Sequence, residues 1–256
     1  MSVKNPNSVG YMYNLLDFNT PFNTQQSWDN AGLNVGSLTQ EFENLYIALE
    51  LNAHIANQMK PNSLIITHHP LFFKSFKNFD IDTYPANLAQ ILLRKNCSLI
   101  SIHTNFDKSH LNEFFTHNIL GFSHFAQEEI VCFGNVQKQD FKTFAHSIKQ
   151  TLQLESLRVC EGVGSVENVF VICGSGFGEV ECVARICKER DLSNAVLISG
   201  DLKYHDAMKA NSLNIGLIDI PHYESEKYFT QILNTILQNA KYQAIIMDSK
   251  NPIAVF

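Results

Sequence analysis

The feature that most constrains this chain is an alternation, sustained over nearly its whole length, of short β-branched apolar runs with amphipathic helical segments. The apolar runs are Leu45–Leu51, Leu64–His68, Ser98–His103, Ile130–Phe133, Val169–Cys173, Ala195–Ser199, Ile215–Ile220 and Ala244–Met247. Helical spacing recurs between them, near Tyr84–Lys95, Asp140–Leu152, Val180–Arg190, Tyr204–Ala210 and Tyr223–Gln238. Strand followed by helix, repeated this often, predicts an α/β fold with mainly parallel sheets covered by helices. A polar stretch containing one glycine, His117–Glu129, separates two comparable sets. The pattern therefore predicts two similar α/β domains, 1–125 and 126–241, with a last strand near 242–256 that can return to the first.

Composition enters as a set of exclusions. With 45% hydrophobic and 17% charged residues, the 256-residue chain can bury a core and is not a disordered one. A net charge of −6 leaves no basic field for nucleic acid or anionic lipid. No apolar run approaches the roughly 20 residues that span a bilayer, and the start, MSVKNPNSVG, lacks the features of a secretory signal. The six cysteines form no CxxC pair, so they are expected to be reduced, and the protein to be cytoplasmic.

Chemistry concentrates where apolar runs end. In IITHHPLFF the run closes on His68 and His69, and Pro70 holds His69 out of the helical region. Consecutive side chains on a regular strand point to opposite faces, so both imidazoles reach one cavity only at a strand end, and ligands of open α/β sheets bind at that edge. SLISIHTNFD repeats the design with His103 and a turn to Asp107, although Asp107 could instead cap the next segment and His103 be an ordinary half-buried histidine. In IDIPHYESE, His222 and Glu226 are four residues apart, which on a helix puts them on one face, as chelating donors or as a surface pair. Imidazole and carboxylate without thiolate suit Zn, Mn, Fe or Co in an open site better than a structural cysteine-bound zinc. The donors exceed one ion's need, which points to two divalent cations sharing a carboxylate bridge.

Other stretches are open to two readings. CGSGFGE, Cys173–Glu179, is a tight strand-to-helix turn or a phosphate cradle. In SGDLKYHDA, Asp201 caps a helix, Lys203 contacts an anionic substrate or solvent, and His205 transfers protons or lies on a helix surface. Trp28, Asp29 and Asn30 belong to a turn-rich stretch in which the two polar side chains make turn hydrogen bonds. Lys74 and Lys77 either moderate an acidic site or are solvated.

With WDNAGLNVG, ITHHPLFFK, HTNFD, SGDLKYHDA and IDIPHYESE in this order, the chain resembles the GTP cyclohydrolase 1 type 2 family, also called Nif-three-like proteins. The resemblance implies a dinuclear centre with His68 and His222 on one ion, His69 and Asp107 on the other, and Glu226 bridging. It implies that His103 stands beside the ions or acts as an acid/base group. It also implies a toroidal homohexamer whose site lies between the two domains, in the short form without an inserted third domain. CGSGFGE departs from the family's usual GG doublet. The implied activity is GTP cyclohydrolase I chemistry, GTP and water giving formate and 7,8-dihydroneopterin triphosphate, with proton transfer by His103 or His205. The alternatives are phosphoester hydrolysis at the same ions, or a metal-binding or regulatory ring without turnover.

Overall fold

Ser63–Thr67 is buried at every residue, as a strand covered on both faces must be. It is the centre of the first of two sheets in this computed structural model, which describes residues 5–75 and 77–254. The extreme start read above for a targeting signal, residues 1–4, and the last two residues of the C-terminal stretch lie outside the described residues. The chain divides into two compact units, residues 1–109 with 229–256, and residues 110–228. The polar stretch His117–Glu129 falls inside the second.

In the first unit, β1 (Gly32–Val35), β2 (Asn44–Ala48), β3 (Ser63–Thr67) and β4 (Ser98–Ser101) are joined by the short strand Ile245–Ile246 in the order β1, β4, β3, β2, Ile245–Ile246. All pairs are parallel except β1 with β4. The core on one face of this sheet joins Ile65 and Leu99 to Ile55, Leu88 and Leu92 from the helices Ala53–Gln58 and Ala86–Arg94. The helix Val9–Asn19, which no periodic signal announced, starts at Ser8, whose hydroxyl accepts from the Tyr11 amide.

The second unit has β5 (Ala126–Glu128), β6 (Val131–Asp140), β7 (Arg158–Cys160), β8 (Ser165–Val171), β9 (Ala195–Ser199) and β10 (Ile215–Asp219), in the order β5, β6, β8, β9, β10, β7. Only β8, β9 and β10 run parallel to one another, and the outer pairings are antiparallel. The sheet is therefore mixed rather than mainly parallel. The outer strands include the exposed pairs Ala126–Gln127 and Arg158–Val159, too short and too polar for the apolar-run criterion to register. Phe170, Leu197 and Leu217 pack with Val183 and Ile186 of the helix Val180–Glu189. No helix among the described residues is long and apolar enough to cross a membrane.

Two local expectations change. Residues 104–119 are not a turn but a continuous helical run, with wider π-type turns at Asp107–Leu111 and Phe115–Ile119. The segment read as one helix from Tyr223 to Gln238 is two, His222–Glu226 and Phe229–Asn239.

Candidate metal centre

In the first unit β3 and β4 are parallel neighbours with Thr67 opposite Ser101, so the residues that follow emerge at one sheet edge. His68 leaves β3 fully buried, and its Nδ1 lies 3.0 Å from the Ile102 carbonyl oxygen. His103 leaves β4 with Nδ1 2.9 Å from Asp29 Oδ1, while Asp29 Oδ2 accepts from the Thr104 amide and hydroxyl. Burial works to raise the Asp29 pKa, but the hydrogen bonds from His103 and Thr104 hold it down at about 2. His69 turns Nδ1 toward Glu50, 3.6 Å away. One donor atom from each of His68, His69 and His103 lies within 4.8 Å of the other two, a spacing that a single ion can bridge. Asp107 joins them, its Oδ1 3.4 Å from His68 Nε2. It is not a cap: the helical run is entered at His103, with Asp107 one turn inside, its amide donating to the His103 carbonyl oxygen.

In the second unit the carboxyl ends of β8, β9 and β10 build the other set of donors. His222 opens the helix that follows β10, and its Nε2 lies 2.9 Å from Glu226 Oε2 one turn later. Its Nδ1 lies 2.7 Å from Asp201 Oδ2, just beyond β9. Burial works to lower the His222 pKa, and the two carboxylates outweigh it and raise it to about 9. A proton thus sits where a cation would be held, and metal uptake near neutral pH has to displace it.

The glycine of CGSGFGE has a definite role in this arrangement. Gly174 follows β8 at φ +65°, and a β-carbon there would stand 2.2 Å from Glu226 Oε1 and 3.4 Å from His222 Nε2. The Gly174 amide donates to Ser225 Oγ, tying the turn to the helix that carries both donors. The missing side chain is therefore the space in which the carboxylate stands. This favours the tight-turn reading of the loop and adds a reason for it that spacing alone does not contain.

Each unit by itself brings together the donors expected of it: His68, His69, His103 and Asp107 in the first, His222 and Glu226 in the second. His205 is not among them. It is exposed in the first turn of the helix Tyr204–Ser212, with its ring edge-on to Tyr204. Sequence reasoning missed the carboxylates behind the imidazoles. Asp201 is no helix cap, since the cap position of the helix Tyr204–Ser212 is Lys203, with no side-chain bond there, and for Asp29 the residue order suggests only turn bonds. The one usable signal for Asp201 was its position after Gly200 at the end of an apolar run; the structure gives it a left-handed conformation, φ +63°, that Asp tolerates.

The family described as Duf34/NIF3 (NGG1p interacting factor 3) matches residues 8–252. A Helicobacter pylori protein named GTP cyclohydrolase 1 type 2 is 40% identical over 92% of this chain and 94% of its own. A Campylobacter jejuni protein named GTP cyclohydrolase 1 type 2 homolog is 40% identical over 96% and 98%. Among solved structures, a Staphylococcus aureus hypothetical protein superimposes with TM-score 0.80 at 22% identity, covering 98% of this chain and 100% of its own. A Bacillus cereus protein related to NIF3 does so with TM-score 0.78 at 15% identity, covering 97% and 99%. With the family match spanning nearly the whole sequence and these relatives 40% identical over more than nine-tenths of it, the chain belongs to the Duf34/NIF3 family.

Proposed function

We propose that this protein is a dinuclear metal-dependent hydrolase that opens the imidazole ring of GTP at C8, giving formate and 7,8-dihydroneopterin triphosphate. The observation that carries the metal is the convergence of His68 and His69, whose donor atoms lie within 4.8 Å of each other and of His103, with Asp107 Oδ1 3.4 Å from His68 Nε2. The substrate comes from the names of the Helicobacter pylori and Campylobacter jejuni relatives. On the family resemblance, the residues that would hold two divalent cations, Zn, Fe or Mn, are His68, His69, Asp107, His222 and Glu226. The donor chemistry fits, because imidazole and carboxylate accept all three and Gly174 leaves room for the Glu226 carboxylate.

Such ions supply Lewis acidity, which brings the pKa of water toward about 7. The chain's own part is proton management. His103, oriented by the Asp29 carboxylate, takes and returns a proton at Nε2, a task suited to an imidazole at physiological pH. We assign this to His103 rather than His205, whose ring is exposed against Tyr204. The same reading includes a homohexameric ring working in the cytoplasm.

The test is formate release from GTP by metal-loaded protein, with phosphate scored separately. Wild type should release formate, and Glu226→Gln should fall by more than about 100-fold, because loss of a direct ligand should exceed the 10–100-fold cost of losing an outer partner. Equal rates for the two proteins remove the site from the chemistry. Phosphate in place of formate replaces the assigned reaction with phosphoester hydrolysis.

A further inference from the structure

Beside the first donor cluster stands a feature that the proposed chemistry does not use. Trp28, the only tryptophan of the chain, is 60% exposed, although indole is among the side chains that gain most from burial. Its exposure is not that of a loose loop. Gln26 donates its amide to Thr104 Oγ1 and its carbonyl accepts from the Asp29 amide, closing a turn around Trp28. Asp29 is pinned to His103 and Thr104, and Asn30 Nδ2 donates to the Phe72 carbonyl at 2.6 Å. Gln25 Oε1 accepts from the Ala31 amide, bracing the far side of the turn. An exposed indole is thus mounted on a segment that Gln26, Asp29 and Asn30 tie to the residues following β3 and β4.

The ring meets His103 at a centroid distance of 5.9 Å and an angle of 75°, and among the described residues no ring stacks parallel on it. Phe73, 45% exposed, approaches His103 at 5.5 Å and 87°. Two aromatic surfaces therefore border the histidine assigned to proton transfer, and that of Trp28 is carried on a tethered turn. Pre-organised aromatic faces next to a reaction centre are what a planar heteroaromatic ring binds by stacking.

We propose that Trp28 is the platform on which the purine ring of the substrate stacks, with Phe73 as a second apolar wall, so that Trp28 determines specificity for a planar nitrogen heterocycle. This rests on the reading of the site as one that acts on a purine nucleotide. The WDN segment then has two functions: Asp29 orients His103, and Trp28 positions the ring to be opened beside it.

Because the chain has a single tryptophan, its fluorescence reports on this position alone. Zinc-loaded full-length protein is titrated with GTP, guanosine and inorganic tripolyphosphate, and GTP affinity is measured in parallel by calorimetry. GTP and guanosine should quench Trp28 saturably, and tripolyphosphate should leave the emission unchanged. Trp28→Ala should weaken GTP binding by about tenfold or more, with KM affected more than kcat, whereas Trp28→Phe should stay within a few-fold of wild type. GTP binding equally tight in Trp28→Ala overturns the stacking role while leaving the hydrolase reading intact. Quenching by GTP without formate release upholds the platform and overturns the cyclohydrolase. Sedimentation covers the remaining occupant: if Trp28→Ala changes the oligomeric mass but not GTP affinity, the indole is a contact between copies and the proposal fails.

Discussion

Three of the histidines share one local device: a ring nitrogen, Nδ1, is engaged by a protein oxygen, from Ile102 for His68, Asp29 for His103 and Asp201 for His222. A proton fixed on Nδ1 leaves Nε2 as the basic nitrogen, which is the tautomer a metal ligand or proton acceptor requires. The carboxylate partners also hold the rings in orientation. Asp201→Ala should therefore weaken zinc binding by about 10–100-fold, read by competition with a chromophoric chelator. Asp201→Asn, which tolerates the left-handed backbone and can still accept from Nδ1 but lacks the charge, should fall between the two. Unchanged affinity in both variants would mean that His222 is oriented by its helix alone.

Among the elements, the helix Ala53–Gln58 shows how supports remote from the site hold a sheet edge. Six residues are too few for a helix to persist by its own hydrogen bonds. Asn52 caps its start through the Ile55 amide, and Lys95 Nζ donates to the carbonyls of Ala56, Asn57 and Met59 at its end. Ile55 and Ala56 then pack in the core against β3. Lys95→Met removes the charged donor from three carbonyls at once and should destabilise the protein by about 2 kcal/mol, seen as a lower urea midpoint with an unchanged slope. The donors also depend on elements. His68 and His103 meet because β3 and β4 run side by side in parallel register, and Asp201 meets His222 because β9 and β10 do the same, whereas Glu226 meets His222 within one helical turn. That the strands end at these residues is written in the residue order, in the apolar runs and in Pro70. Which strands become neighbours is not, because pairing is decided by the burial of whole faces.

For the whole molecule, a bound cation stabilises the folded chain by mass action, about 2.7 kcal/mol at a free concentration one hundred times Kd. Chelator should therefore lower Tm and added zinc restore it, followed by calorimetry. The size of that difference should depend on pH in a fixed direction. The folded pKa of His222, raised to about 9 from 6.5, gives the metal-free protein stability that is fully present below 6.5 and lost as pH rises through about 9. Over the same range the competing proton leaves, so the gap in Tm between loaded and metal-free protein should widen from about pH 6.5 to about pH 9. A gap that narrows over that window would remove His222 from the ligands.

The residue order alone determined the α/β class and which histidines and carboxylates stand at the strand ends, because period, proline placement and residue type are local properties of a chain. Other features belong to the tertiary structure: the antiparallel pairing of β7 with β10, the carboxylates Asp29 and Asp201 behind their histidines, and the empty β-carbon position of Gly174 that admits Glu226. They depend on contacts between residues up to 74 positions apart. No local pattern encodes such contacts, since they exist only once the hydrophobic faces have chosen their partners.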